Sequence, residues 1–223
     1  MIGVLVGKHE EPYFIHERIL SRNSLFFEAA LKKEWKEGQT RTVKLPEEDS
    51  AVFGRYANYL YTGSLACQGN SIDAEYTVLA DAYILGETML DDHYQHAVLD
   101  AIIQTFQEDR QFRYPVPTGF CKFRVPDIDF VNKVYQYTTA SSPLRKFLVD
   151  TYTVRANGNY SFEIAGQKAD PEFLMDLVKS FSARRVIKES ERDTFQEKIT
   201  FAASAYRNDE KTGSGYAKRR KLA

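Results

Sequence analysis

Apolar positions at the start of the chain change from strand-like to helix-like spacing. Residues 4–6 and 13–15 are short apolar runs separated by a turn-forming stretch, which predicts a β-hairpin with a longer loop. Helical spacing begins near Glu17, and either Asn23 or Ser24 can act as the N-cap of a second short helix. We therefore expect two strands followed by two helices.

A third strand and a longer helix are expected next. Residues 32–39 are charged and are interpreted as a loop, whereas the alternation over residues 41–45 predicts a strand with one buried side. The acidic stretch 46–49 suits the start of a helix. The apolar positions of this helix recur at helical period: Val52, Phe53, Tyr56, Ala57 and Leu60. Gly63 is well placed to end it in the left-handed conformation.

Two more helices follow, each with an apolar stripe. The first stripe runs from Tyr76 to Ile84 and is expected to close at Gly86, and the second runs from Leu90 to Phe106. The order of elements is thus strand, strand, helix, helix, strand and then three helices. Strands at the front with helices behind them indicate an α+β fold.

Prolines and polar residues divide the rest of the chain. Residues 109–126 contain prolines that cannot continue a helix, so we expect a linker between a first domain at 1–108 and a helical C-terminal region at 127–206. Residues 207–223 are polar and contain Gly and Ser, which predicts a disordered basic tail.

Capping residues mark the helices of the C-terminal region. Asp127 can cap one helix, and the pairs Ser142-Pro143 and Asp170-Pro171 each place a capping residue before a proline at the first helical position. Two further elements are expected, a strand at 160–164 and a last helix at 195–206.

Composition sets the broad class of the protein. The chain has 223 residues and is 43% hydrophobic and 13% aromatic, which is enough to pack a core. No apolar run approaches the roughly 20 residues that span a membrane, and the first residues lack the features of a secretory signal. We therefore expect a protein of the nucleus, the cytoplasm or both, without membrane contact. Free thiols are expected at Cys67 and Cys121 in a reducing compartment, although a disulfide between them stays open.

The net charge of −1 hides an uneven distribution. Residues 1–108 hold 9 Lys and Arg against 17 Asp and Glu, a net charge of −8, whereas residues 109–223 hold 21 against 14, a net charge of +7. An acidic front half is a poor surface for nucleic acid. Attraction between the halves is expected to be weak because salt screens surface charges within about 10 Å.

An ordered set of residues between positions 13 and 63 resembles a known family. The set comprises His16, Leu20, Ser24, Phe27, Phe53, Tyr59, Tyr61, Thr62 and Gly63. In this order, and on elements of these types, the set resembles a BTB/POZ domain in the form common in filamentous fungi. The resemblance covers residues 4–106, and residues 141–150 resemble an extension that follows the domain in many fungal members.

The resemblance implies a small sheet flanked by a cluster of helices and a function in binding other proteins. It also implies self-association, as a homodimer, with no cofactor, metal or small-molecule substrate. Read without the resemblance, His16 is a fold residue at the corner between a strand and a helix. A fold match alone does not fix function.

The first strand begins close to Met1, which departs from the pattern of the family. In some relatives an extra N-terminal strand is exchanged between protomers, and this chain shows no residues for it. Either self-association uses the helical face alone or the start of the chain is truncated. An open sheet edge at this strand could also pair with a partner.

Trp35 and Glu37 occupy the place of a hydrophobic-x-Glu element found in relatives that recruit cullin scaffolds of ubiquitin ligases. The resemblance therefore implies a cullin contact at these residues. A tryptophan is a large apolar anchor, and a carboxylate orients a contact through a charge-assisted hydrogen bond. The alternative is that Trp35 packs back onto the domain and Glu37 is solvated. Secondary candidates for this surface, or for self-association, are Leu25, Phe26 and Tyr61.

A basic tetrad lies near the end of the chain. It consists of Lys218, Arg219, Arg220 and Lys221. Adjacent basic residues in a polar segment suit a nuclear-import receptor or an acidic surface, and the alternative is a solvated charge run. Direct DNA binding is not favoured, because no helix-turn-helix or zinc motif accompanies the tetrad.

Residues suited to catalysis do not form a recognisable motif. The sequence has no Walker-type phosphate loop, dinucleotide fingerprint or Gly-x-Ser-x-Gly elbow. His93 and His96 could share one side of a helix, but no third metal ligand beyond the neighbouring Asp92 is evident. Asp91, Asp92 and the acids at 47–49 are interpreted as helix-start residues.

The sequence therefore favours a non-catalytic adaptor that self-associates, binds a partner such as a cullin, and holds a second protein through its C-terminal region. The competing hypothesis is a nuclear transcription-regulatory protein that self-associates without cullin binding. An enzyme is a third class, and it would need a deep pocket with converging titratable groups.

Overall fold

The structure of the protein is a computed structural model. It describes residues 1–67, 72–108, 126–155 and 168–184. Within these ranges a small sheet lies against a cluster of helices, which confirms the α+β prediction.

The sheet has three strands in the order β2-β1-β3. The strands are β1 (Ile2–Val6), β2 (Glu11–Ile15) and β3 (Thr42–Leu45). The central strand β1 pairs antiparallel with β2 and parallel with β3. Alternate residues of β1, Ile2, Val4 and Val6, are buried, as expected of a strand with one face on the core.

Helices make up most of the remaining described residues. They are α1 (Glu17–Asn23), α2 (Leu25–Ala30), α3 (Lys36–Thr40), α4 (Ser50–Thr62), α5 (Ile72–Met89), α6 (Asp92–Glu108), α7 (Ile128–Tyr137), α8 (Pro143–Arg155) and α9 (Pro171–Arg184). The order of the strands and of the long helices follows the order expected from the apolar pattern.

Short polar side chains fix where the helices begin. The Ser24 hydroxyl accepts a hydrogen bond from the Phe27 amide and caps α2, which leaves Asn23 as the last residue of α1. The Asp49 carboxylate accepts a bond from the Val52 amide. Helix α4 therefore begins after the whole acidic stretch 46–49 and not within it.

The expectation of a loop over residues 32–39 was partly wrong. The chain forms a single helical turn, α3, and leaves it through Arg41, whose φ is 58°. One turn is too short to show an apolar period, so the charged sequence gave no indication of it.

Gly86 does not end α5, which corrects a second expectation. The helix continues to Met89, and the chain turns at Leu90, whose φ is 53°. A Cβ atom at Gly86 would lie 2.9 Å from Cγ of Gln95 and 3.1 Å from Cδ1 of Tyr94. The glycine is needed because α6 packs closely against α5 at this point.

The C-terminal helices share one hydrophobic core with the front of the chain. The rings of Tyr76 and Phe130 lie 5.7 Å apart, and those of Phe106 and Phe147 lie 5.6 Å apart. The backbone amide of Thr139 donates a hydrogen bond to Glu87. Helices α7 and α8 therefore pack on α5 and α6, which the sequence had left open.

Arg145 joins the three C-terminal helices. Its guanidinium is buried, donates to the Thr138 hydroxyl at 3.0 Å and to the backbone oxygens of Tyr135 and Thr138, and forms an ion pair with Glu172 at 2.6 Å. The same group lies 4.3 Å above the ring of Tyr135. These contacts satisfy a buried charge that would otherwise be costly.

Several predicted features lie outside the described residues. They are residues 109–125 of the linker predicted at 109–126, Cys121, the strand at 160–164, the helix at 195–206 and the tail at 207–223. Cys67 is a buried free thiol, and burial raises its pKa. In the described ranges no helix has the length and apolar character needed to cross a membrane.

Candidate functional site

Trp35 is presented to solvent by a tightly folded turn. The residue stands at the N-cap position of α3, and 57% of its surface is exposed. Its amide donates to the Lys32 carbonyl at 3.0 Å, and its own carbonyl accepts from the Gln39 amide at 3.1 Å. Backbone bonds on both sides therefore fix the position of the indole's attachment point. Trp35 does not pack back onto the domain.

Glu37 lies in the first turn of α3 and is half-buried. In the described part of the chain its carboxylate has no hydrogen bond or ion pair. It is thus a charged acceptor next to an exposed apolar side chain.

Leu25 and Phe26 begin α2 but differ in exposure. Leu25 is 46% exposed, and its amide donates to the Leu90 carbonyl at 3.3 Å. Phe26 is half-buried and meets the buried ring of Phe27 edge-on, with centroids 5.1 Å apart. Leu25 is therefore available to a partner, whereas Phe26 belongs largely to the core.

Tyr61 is exposed, and its hydroxyl is hydrogen-bonded to His16, which lies between β2 and α1. Its hydroxyl accepts a hydrogen bond from the His16 amide at 3.1 Å and lies 2.8 Å from Nδ1 of the same residue. His16 stands at the N-cap position of α1. This pair ties the start of α1 to the last turn of α4.

The other residues of the family pattern occupy structural positions. Leu20, Phe27 and Phe53 are fully buried, and Tyr59 is half-buried. Gly63 has a φ of 68° and ends α4, as its position suggested.

The candidate residues come from three different elements. Among the described residues no hydrogen bond or ring contact joins Trp35 to Leu25, Phe26 or Tyr61. The structure therefore places the candidates as separate sets: Trp35 and Glu37 at the start of α3, Leu25 and Phe26 at the start of α2, and Tyr61 at the end of α4.

A buried polar cluster behind α4 was missed by sequence reasoning. Asp91 is fully buried, accepts the Tyr56 hydroxyl at 2.9 Å and caps α6 by accepting the Tyr94 amide at 2.9 Å. Burial raises the pKa of Asp91, and the two hydrogen bonds oppose that rise. Burial also raises the pKa values of Tyr56 and Tyr94, so both phenols stay protonated. An acid before a helix was visible in the sequence, but its burial was not.

This cluster has the geometry of a structural element. Asp91, Tyr56 and Tyr94 have no exposed surface, so a substrate cannot reach them. The described ranges also contain no group of His, Cys, Asp or Glu side chains placed to hold a metal ion, and this includes His93 and His96.

A small sheet covered by helices carries an exposed tryptophan on a turn that backbone hydrogen bonds hold on both sides. Residues 3–101 match the BTB/POZ domain family. The chain therefore contains a BTB/POZ domain, and this family mediates protein–protein interactions, often dimerises and is generally non-enzymatic. No curated protein matches the chain, and the resemblance to fungal members stays a prediction.

Proposed function

We propose that the protein is a non-catalytic adaptor whose BTB/POZ domain self-associates and recruits a cullin scaffold through Trp35 and Glu37. The observation that supports this proposal is the 57% exposure of Trp35 on a backbone held by hydrogen bonds at both sides. An anchor that is already positioned loses less conformational entropy on binding than one on a loose loop.

The carboxylate of Glu37 can orient a partner that binds at Trp35. Glu37 is half-buried and without a partner in the described ranges, so a cationic or amide group of a partner can complete its hydrogen bonding. Leu25 and Tyr61 supply further exposed apolar area on the same domain.

The mechanism of such an adaptor is tethering. A cullin on the BTB/POZ domain and a second protein on the C-terminal region would gain effective concentration for each other. Because α7 and α8 pack on α5 and α6, the two bound proteins would be held in a defined relative position.

The second candidate function is a nuclear transcription-regulatory protein that self-associates without a cullin. The basic tetrad Lys218–Lys221 favours it, since adjacent basic residues suit an import receptor. In this alternative Trp35 serves self-association or a different partner.

A pull-down with immobilised full-length protein and purified cullin tests the adaptor. We expect Trp35→Ala to weaken capture roughly 30-fold or more, as loss of an interface anchor worth about 2 kcal/mol does, and Glu37→Ala to weaken it less. Tyr137→Ala is the matched control, because Tyr137 is an aromatic residue on α7 with the same 57% exposure.

Failure of the wild-type protein to capture cullin would reject the adaptor in favour of the nuclear regulator. If Tyr137→Ala weakens cullin capture as much as Trp35→Ala does, Trp35 is not the anchor of the contact. Light scattering on the same samples measures self-association separately, so a monomeric protein would remove that part of the proposal alone.

A further inference from the structure

A groove lies between α1, α4 and the start of α6, and none of its lining residues belongs to α3. Its volume is about 510 Å³, within the roughly 300–1,000 Å³ of ligand sites. Arg18 and Arg22 line it from α1, Tyr59 and Leu60 from α4, and His93 from α6. None of these residues is part of the proposed cullin contact.

The two arginines are unpaired cations in an acidic part of the chain. Residues 1–108 carry a net charge of −8, and Arg41 and Lys44 already have carboxylate partners. Arg18 and Arg22 are exposed and form no hydrogen bond or ion pair within the ranges that the structure describes. The groove is therefore a local basic site on an acidic surface.

The donors of this groove select an acceptor with negative charge. A guanidinium offers only N–H donors and matches carboxylates in a fork-like geometry. Arg18 and Arg22 stand four residues apart on α1, so their attachment points are about 6 Å apart along the helix. Alternate residues of an extended peptide are separated by about 6.8 Å and point to the same side.

The groove also has an apolar part. Ile19 and Leu60 line it, and both are half-buried and packed against the hydrophobic core. An apolar side chain of a ligand would cover them and lose contact with water. A ligand that combines two carboxylates with an apolar residue thus fits both parts.

We propose that this groove binds an acidic segment of a partner protein, with carboxylates at alternate positions on Arg18 and Arg22 and an apolar residue on Ile19 and Leu60. The proposal goes beyond the proposed function: it requires that the chain bind proteins but does not require the cullin contact. It gives an adaptor a second recognition site on the same domain.

Fluorescence polarisation with the full chain tests this site. The probe is the labelled peptide Ser-Gly-Asp-Leu-Asp-Leu-Gly-Ser, and the control peptide carries Asn in place of both Asp. We expect the acidic peptide to bind at least 10-fold more tightly than the Asn peptide at low salt. Binding should weaken as salt is raised, because screening reduces the attraction.

Protein variants locate the binding on the surface. The double variant Arg18→Gln/Arg22→Gln should lose at least 10-fold in affinity, whereas Lys32→Gln/Lys33→Gln, which removes the same charge at two exposed positions outside the groove, should change it less than 2-fold. Equal binding of both peptides, equal loss in both double variants, or absence of binding to the acidic peptide would overturn the proposal.

The same variants separate this proposal from the adaptor hypothesis. The arginine double variant should still capture cullin as the wild type does, and Trp35→Ala should still bind the acidic peptide. Loss of both activities in both variants, with circular dichroism unchanged, would mean that one shared surface exists and would overturn the separate groove.

Discussion

Asp91 is a carboxyl group enclosed by the fold. It accepts hydrogen bonds from the Tyr56 hydroxyl and the Tyr94 amide, yet burial outweighs both bonds and raises its pKa. The charged form is thus less favourable in the folded protein than in the unfolded chain. Asp91 thus caps α6 and binds the Tyr56 phenol at the cost of desolvating its own charged form.

The cost of burying the Asp91 carboxylate can be measured by comparing how the free energy of unfolding of wild type and of Asp91→Asn depends on pH. Because the folded pKa lies above the unfolded value of about 3.9, the favourable contribution of Asp91 is fully present below that value and is lost as pH rises through the folded pKa. We expect the free energy of unfolding of wild type minus that of the variant to fall as the pH is raised above about 4. Urea denaturation across this range measures it.

The difference in the free energy of unfolding between wild type and Asp91→Asn reports on Asp91, because Glu48, whose pKa is also raised, is present in both proteins. Asp49→Asn is the control, because Asp49 also caps a helix but is exposed. If the free energy of unfolding of wild type minus that of Asp91→Asn stays constant or increases with pH, the raised pKa of Asp91 is contradicted.

At the scale of elements, α3 depends on one glycine. A Cβ atom at Gly38 would conflict sterically with the Lys32 carbonyl and lie 2.8 Å from the Leu31 oxygen. Both neighbours are backbone atoms, so they cannot move aside as a side chain would. The backbone at Gly38 packs against the backbone of Lys32 and Leu31, and this contact closes the turn that carries Trp35.

Gly38→Ala is expected to displace this turn and to lower the free energy of unfolding by about 1–3 kcal/mol. Trp35 is the only tryptophan, so its emission spectrum and iodide quenching report on the turn directly. Gly3→Ala is the control, because a Cβ there meets no atom closer than 3.6 Å. Unchanged Trp35 fluorescence in Gly38→Ala would contradict the steric argument.

Most elements were predictable from the apolar pattern, and the exceptions have physical reasons. Long periodic stretches such as α4, and alternating ones such as β3, carry their own period in the sequence. The helix α3 is too short for a period. The prediction that Gly86 ends α5 was wrong because one sequence cannot distinguish a glycine that ends a helix from a glycine that allows two helices to pack closely.

The candidate site was predictable only in part. Trp35 and Glu37 followed from the order of the family pattern, but the hydrogen bonds that hold Trp35 outward did not. The groove at Arg18 and Arg22 was missed because it requires α1, α4 and α6 to meet, and residues far apart in sequence gave no indication of that packing.

At the scale of the molecule, the described part of the chain is organised around one continuous core. Buried residues from β1 to α9 belong to the same cluster, so the front and the C-terminal helices stabilise each other. The prolines at 109–126 predict a linker, but such a feature in the sequence does not reveal whether the segments on its two sides pack together.

Phe147→Ala tests whether this core behaves as one unit. Phe147 is fully buried on α8 and its ring meets Phe106, so we expect a loss of about 3–5 kcal/mol in the free energy of unfolding. Hydrogen exchange should show that loss at the amides of β1 as well as at α8. Val178→Ala, at a 58% exposed position on α9, should change little. Faster exchange confined to α7–α9 would contradict a single unit.

The central place of β1 in the sheet has a consequence for biosynthesis. This strand leaves the ribosome before either of its neighbours, and its parallel partner β3 follows only after α1, α2 and α3. The apolar side chains of Ile2, Val4 and Val6 thus stay uncovered until a long stretch has emerged. The nascent chain should be open to chaperone capture during that interval, and slow translation between β2 and β3 would prolong it.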